Sequence, residues 1–170
     1  MDAELQEMLD CFKIRRVLEN YCRGVDRRDR ELLESVYWPD SINNLGIWVG
    51  PGQDFASFAI PAINEAYVAT LHCISQSTIR VNGAHAAADT YCTAFHRAER
   101  DSVVSCDIAI GRYVDRLEKR GNEWRILERQ LLMEDCRTIS GEAGIPLEAF
   151  TRGVAGPSDL SYKMFETLTR

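Results

Sequence analysis

Three short stretches carry side chains that could move a proton. NYCRGVDRRD, residues 20–29, sets Tyr21 and Asp26 five positions apart where a helical pattern runs out. TLHCISQ, residues 70–76, opens a β-rich segment with His72, and WRILERQLLM, residues 124–133, carries Arg129 among apolar neighbours. Removing a proton from carbon needs a base within hydrogen-bond reach, held in one tautomer, with the resulting charge stabilised. Histidine suits this because its ordinary pKa of about 6.5 leaves it largely neutral and basic at pH 7. A carboxylate on the other ring nitrogen orients the imidazole and stabilises the imidazolium as it forms. A phenol and a guanidinium then supply donors toward a developing oxyanion or a departing hydroxyl.

Each of these residues also has a plainer role open to it. Asp26 could end a helix or pair with Arg27 or Arg30, and the RRDR of residues 27–30 could be a solvated turn between helices. His72 could be a structural histidine at a strand end, and Tyr21 a core tyrosine on the apolar stripe of its helix. Alternation along WRILERQLLM puts Arg125, Leu127, Arg129, Leu131 and Met133 on one face. An arginine between inward leucines is costly unless it is paired or lines a wet cavity. Of the other histidines, His85 falls in the NGAH turn and His96 shares a strand face with Cys92 and Ala94, where it could line a pocket. Trp48, Phe55, Phe58 and Tyr67 are core candidates that could also reach a pocket mouth, while Asp89 and Tyr91 point to the opposite strand face from His96.

The elements that must position these groups follow from periodicity. Cys11, Ile14, Leu18, Tyr21, Cys22 and Val25 form one stripe of an amphipathic helix, and Leu5, Met8, Leu9 and Phe12 a second stripe that should dock elsewhere. Asp29 can cap a short helix running through Tyr37 and stopped by Pro39. An extended piece from Ser41 to Val49 ends in the GPGQ turn, and a third helix over about 54–69 contains Pro61. Residues 72–81, 86–97, 103–117 and 124–136 then read as strands, with NG and GN hairpin signals between them. Helices followed by an antiparallel meander predict an α+β fold, a curved sheet with helices on one face. Residues 138–170 read as a tail with a short helix near 159–168.

Composition excludes several classes. A net charge of −6 without a run of Lys and Arg argues against a nucleic-acid partner. No segment approaches the ~20 apolar residues of a membrane span, and the acidic N-terminus lacks the apolar run of a signal peptide. The six cysteines include no CxxC pair or zinc-finger spacing, and five lie in segments where cysteine acts as a small buried hydrophobe. That suits a reducing, cytoplasmic setting. No Gly-rich phosphate loop or metal-ligand cluster implies a cofactor.

Three strings resemble a known family: IRRVLENYCRGVDRRDRELLESVYWPD, TLHCISQ and GRYVDRLEKRGNEWRILER. Across residues 10–137 the chain is similar to the SnoaL-like, polyketide-cyclase-like branch of the nuclear-transport-factor-2-like superfamily. Its pattern is nearest to that of hexachlorocyclohexane dehydrochlorinase and bile-acid 7α-dehydratase, and more distantly that of scytalone dehydratase. The resemblance implies a cone-shaped domain over residues 1–137 with helices over the concave sheet face, and a tail over 138–170 packed on the domain or on a neighbouring subunit. It pairs Asp26 with His72 as a dyad and adds Tyr21 and Arg129 as donors; His96, Trp48, Phe55 and Phe58 are the residues whose positions suit the substrate's surroundings. It implies a cofactor-independent lyase, a dehydratase or related β-elimination enzyme, acting on a small, apolar, cyclic molecule. A double-bond isomerase, a polyketide cyclase, a ligand-binding module or the small subunit of a ring-hydroxylating dioxygenase remain open, and relatives assemble as dimers or trimers. The pattern departs in DTYCTAFH, where Thr93 or Ala94 stands in place of the pocket acid of the bile-acid enzyme.

Overall fold

The computed structural model describes residues 2–100, 103–141, 145 and 147–168. Helix α1 (Ala3–Arg27) is followed by α2 (Arg30–Ser35), strands β1 (Tyr37–Asn44) and β2 (Val49–Pro51), and a 3-10 turn leading into α3 (Phe55–Ala66). The meander β3 (Ala69–Asn82), β4 (His85–Arg100), β5 (Val103–Arg120) and β6 (Glu123–Ser140) comes next, and α4 (Leu160–Glu166) lies in the tail. The six strands form one curved sheet in the order β2-β1-β6-β5-β4-β3, antiparallel except for the parallel pairing of β1 with β6. Helices pack on one face, giving the α+β cone that the order of elements predicts.

Helix α1 buries the first of its two stripes. Ile14, Leu18, Tyr21 and Val25 join Leu33 of α2, Tyr37 of β1, Phe55 of α3, and Leu117, Trp124 and Ile126 from the sheet in one core. Asp10 is buried beside them and holds the helix down, accepting from Trp124 Nε1 at 2.7 Å, Lys119 Nζ at 2.8 Å and Gln6 Nε2 at 3.0 Å. Gly24 permits the close crossing of α2, because a Cβ there would lie 2.9 Å from Leu33 Cβ. The second stripe stays at the surface: Leu5, Met8, Leu9 and Phe12 are exposed.

Two local expectations need correction. Asp29 does cap α2, its carboxylate accepting from Leu32 N, but the helix stops at Ser35 and Tyr37 begins β1, with Pro39 inside that strand. Pairing with β6 and burial of Tyr37 in the core override the helical spacing. In β6, Leu117 pairs with Ile126 but Arg116 with Glu128, so Leu127 is an extra residue. The bulge resets the alternation: Trp124 and Ile126 are buried before it and Arg129 after it, which separates Arg125 and Leu127 from the face of Arg129.

Fewer cysteines act as buried hydrophobes than their segments suggest, because strand alternation turns some of them to the outer face. Cys22 and Cys92 are buried, Cys11 and Cys106 half-buried, and Cys73 and Cys136 exposed; all six are unpaired thiols. Among the described residues, no helix is long and apolar enough to cross a membrane.

Candidate active site

His72 stands on β3, the last strand of the sheet, and faces the end of α1. Asp26 reaches it twice. Its Oδ1 lies 2.7 Å from His72 Nδ1, and its Oδ2 accepts from the His72 backbone N–H at 2.8 Å. Both side chains are 8% exposed. Burial alone would raise the Asp26 pKa, but the bonds and charge interaction with His72 outweigh it and hold the carboxyl below its usual range. An ionised carboxylate can only accept, so Nδ1 is the donor, and in the neutral ring Nε2 carries the lone pair. That is the tautomer a general base needs.

His72 opens onto a cavity of about 350 Å³ bordered by α1, α3, the β1–β2 connection and the sheet. Aliphatic and aromatic side chains form its walls, Phe55 and Phe58 from α3 among them, with His72, His96, Tyr21, Tyr67 and Tyr113 as the polar-tipped exceptions. Among the described residues, no Asp, Glu, Lys or Arg lines it. Asp26 sits behind His72 and also borders an open groove between α1 and β3.

His96 does face the cavity, its ring edge-on to His72 with centroids 5.3 Å apart and 5.0 Å from the Tyr67 ring. Burial, and then the neighbouring His72, push its pKa down to about 4, so His96 is a neutral hydrogen-bonding group at neutral pH. Tyr67 is anchored through its hydroxyl, which donates to Asp107 Oδ2 at 3.0 Å. Burial raises the Tyr21 phenol above its ordinary value although the Arg129 charge works against this, so Tyr21 stays protonated as a donor.

Arg129 occupies a different place from the cavity wall. Its Nε and Nη2 donate to the two carboxylate oxygens of Asp115 at 2.7 and 2.8 Å, both side chains being 0% exposed. The guanidinium lies between the rings of Tyr21 and Tyr113, 4.0 and 4.2 Å from their centroids. Burial opposes its charge, but Asp115 outweighs burial and holds its pKa above the ordinary value. Arg129 thus backs Tyr21, which itself lines the cavity. Trp48 likewise stays behind the wall, its ring 5.3 Å from that of Phe55 and 5.8 Å from that of Phe58.

Sequence reasoning missed Asp115. The signal was present: Tyr113, Asp115 and Leu117 alternate inward on β5, and an inward carboxylate needs a cation. Identifying that cation required the register, which aligns Asp115 with Arg129. Asp89 and Tyr91 are on the outer face, as the alternation predicts, and Arg112 bridges Asp89 to Glu134 there. Among the described residues, no group of three or more His, Cys, Asp or Glu side chains could hold a metal ion.

No curated protein matches the sequence. Among solved structures, hexachlorocyclohexane dehydrochlorinase (LinA) type 2 superposes with a TM-score of 0.74 at 17% identity, over 85% of this chain and 98% of that one. The type 3 enzyme from Novosphingobium barchaimii gives 0.74 at 16% identity, over 85% and 99%. A candidate scytalone dehydratase from Novosphingobium aromaticivorans gives 0.67 at 20% identity, over 89% and 95%. These likenesses establish the fold. The model of the SnoaL-like domain matches residues 6–130, a span that holds Tyr21, Asp26, His72 and Arg129. The chain belongs to the SnoaL-like family.

Proposed function

We propose that the protein is a cofactor-independent lyase that carries out a β-elimination, a dehydration or a related loss of a leaving group. The observation that carries this reading is the two-point contact of Asp26 with His72 at the wall of a largely apolar cavity. His72 Nε2 takes a proton from a carbon beside an electron-accepting group. The electrons of that C–H bond form the double bond, and the β-substituent departs with its own pair. Asp26 balances the imidazolium. Tyr21 and the neutral His96 donate hydrogen bonds to the acceptor or the leaving group, while Arg129, paired with Asp115, holds Tyr21 in place.

The cavity selects the substrate. Among the described residues no Asp, Glu, Lys or Arg lines its wall, so an ionised substrate would lose its hydration without compensation. A volume of about 350 Å³ fits a molecule of one or two rings. The likeness to dehydrochlorinases and to a candidate scytalone dehydratase lends support. An isomerase that moves a double bond begins with the same proton abstraction, and it differs only in returning the proton to another carbon.

We further propose a homo-oligomer built on the outer sheet face, where Leu71, Tyr91, Ile110 and Leu132 are exposed on four different strands. Six unpaired thiols suit a cytoplasmic setting.

The test is a panel of uncharged hydroxylated and halogenated ring ketones, followed by the absorbance of the conjugated double bond. The native protein should turn over at least one, and His72→Ala and Asp26→Asn should each lose about 10²–10⁴-fold in kcat. Full turnover by His72→Ala would sink the mechanism. Tight binding of panel members without turnover would identify a binding module instead.

A further inference from the structure

Asp26 is the next-to-last residue of α1, so whatever fixes its carboxylate must act on the helix terminus. Helix ends fray unless they are tied down. This end also carries a strained residue: Arg28 has φ 53° and ψ 36°, the left-handed conformation that glycine usually supplies. Such strain persists only where the surroundings over-determine it.

Arg28 ties the terminus to α3 and to its C-cap, Tyr67, donating to Asn64 Oδ1 at 3.1 Å, Tyr67 O at 3.3 Å and back to Asp26 O at 2.8 Å. The opposite side is held by the tail. Arg27 Nη1 donates to Val154 O at 2.9 Å and to Asp159 Oδ2 at 3.1 Å, and its carbonyl accepts from Gly156 N at 2.6 Å. The Tyr162 hydroxyl donates to Asp29 Oδ2 at 2.6 Å while Oδ1 of the same carboxylate caps α2. One turn back, Arg23 donates to Ser161 Oγ at 3.0 Å and lies over the rings of Tyr162 and Phe165. Asp159 organises the strap, accepting also from Val154 N and from the N–H and hydroxyl of Ser161.

These contacts converge on residues 23, 27 and 29, all within three positions of Asp26, from a segment beyond the residue 130 at which the family match ends. We infer that residues 153–165 are a clamp that sets Asp26 against His72, with Asp159 and Tyr162 as positioning residues of the dyad. The inference rests on the reading of Asp26 and His72 as the working pair. Its logic is geometric: the carboxylate must meet the ring Nδ1 and the backbone N–H of His72 together, so a small rotation of the helix end breaks one contact or both.

The His72 amide supplies a readout that needs no substrate. Its protection from hydrogen exchange depends on Asp26 Oδ2, because β3 is the last strand of the sheet. Asp159→Asn and Tyr162→Phe, separately, should each speed exchange of the His72 amide by about tenfold, the scale of one charge-assisted bond. Amides in β4 and β5 should keep their native rates. Unchanged protection of His72 in both variants would overturn the clamp while leaving the dyad intact. A His72 amide unprotected in the native protein would overturn the dyad itself and the clamp with it. Should Asp159→Asn unfold, slowed amides across β4 and β5 would be lost as well, and Tyr162→Phe, which removes one hydroxyl, then decides.

Discussion

Asp115→Asn probes whether Arg129 is a buried, neutralised support or a cation available to the cavity. In the native protein both side chains are fully enclosed and joined by two hydrogen bonds of 2.7 and 2.8 Å. The amide keeps the shape of the carboxylate and one acceptor but removes the counter-charge. Breaking a buried pair by removing one partner costs about 3–5 kcal/mol, because the remaining charge is stranded. Here the faces of Tyr21 and Tyr113, at 4.0 and 4.2 Å, continue to stabilise the cation, worth about 1–2 kcal/mol in a dry site. The low end applies, a loss of about 3 kcal/mol, or roughly 10 °C in Tm for a domain of this size. Replacing both partners, with Asp115→Leu and Arg129→Met, should cost far less than the two single changes together, giving a coupling above about 2 kcal/mol. Urea unfolding at pH 7 of the native protein, Asp115→Asn, the two single replacements and the double variant measures this. If Asp115→Asn costs less than about 1 kcal/mol, Arg129 is solvated by some other route and its assignment as a closed support fails.

The remaining expectations concern the groups around that pair. Asp10, held at a pKa of about 2 against an ordinary value of about 3.9, contributes stability that is fully present above pH ~4 and is lost as pH falls toward 2. Acid titration of Asp10→Asn should therefore show a shallower stability loss across that window than the native protein. Gly24→Ala would set a Cβ 2.9 Å from Leu33 Cβ and 3.0 Å from the Leu33 backbone, so α2 must shift; a cost of about 1–3 kcal/mol by thermal unfolding is expected. His96→Asn should raise KM for an active substrate while leaving the pH–rate profile above pH 5 unchanged in shape, because a group titrating near 4 is already neutral there. A lost limb in that profile would mean that His96 titrates during turnover.

Much of this architecture was legible in the residues. The stripe Ile14, Leu18, Tyr21 and Val25 gives α1 directly, and the NG and GN turns fix the meander because hairpin turns are local. The site was legible only in part. Asp26 and His72 lie 46 residues apart in the chain, and it was a family likeness, not periodicity, that paired them. Arg129 could not be placed by alternation, since the extra Leu127 resets the inward face and the pairing with Asp115 depends on cross-strand register. Arg27 and Arg28 of RRDR look solvated in sequence because their acceptors, Val154 O, Tyr67 O and Asp159, come from distant segments, whereas Arg30 is exposed. The exposed stripe of Leu5, Met8 and Phe12 obeys helical spacing as well as the buried one does, so spacing alone does not say which stripe meets the sheet.

The most direct test of the central claim is the nitrogen NMR spectrum of His72 at mildly alkaline pH, in the native protein and in Asp26→Asn. The account predicts a native ring protonated at Nδ1 with an unprotonated Nε2, and loss of that single-tautomer signature once the carboxylate is gone. A native ring protonated at Nε2, or a spectrum indifferent to Asp26→Asn, would contradict it.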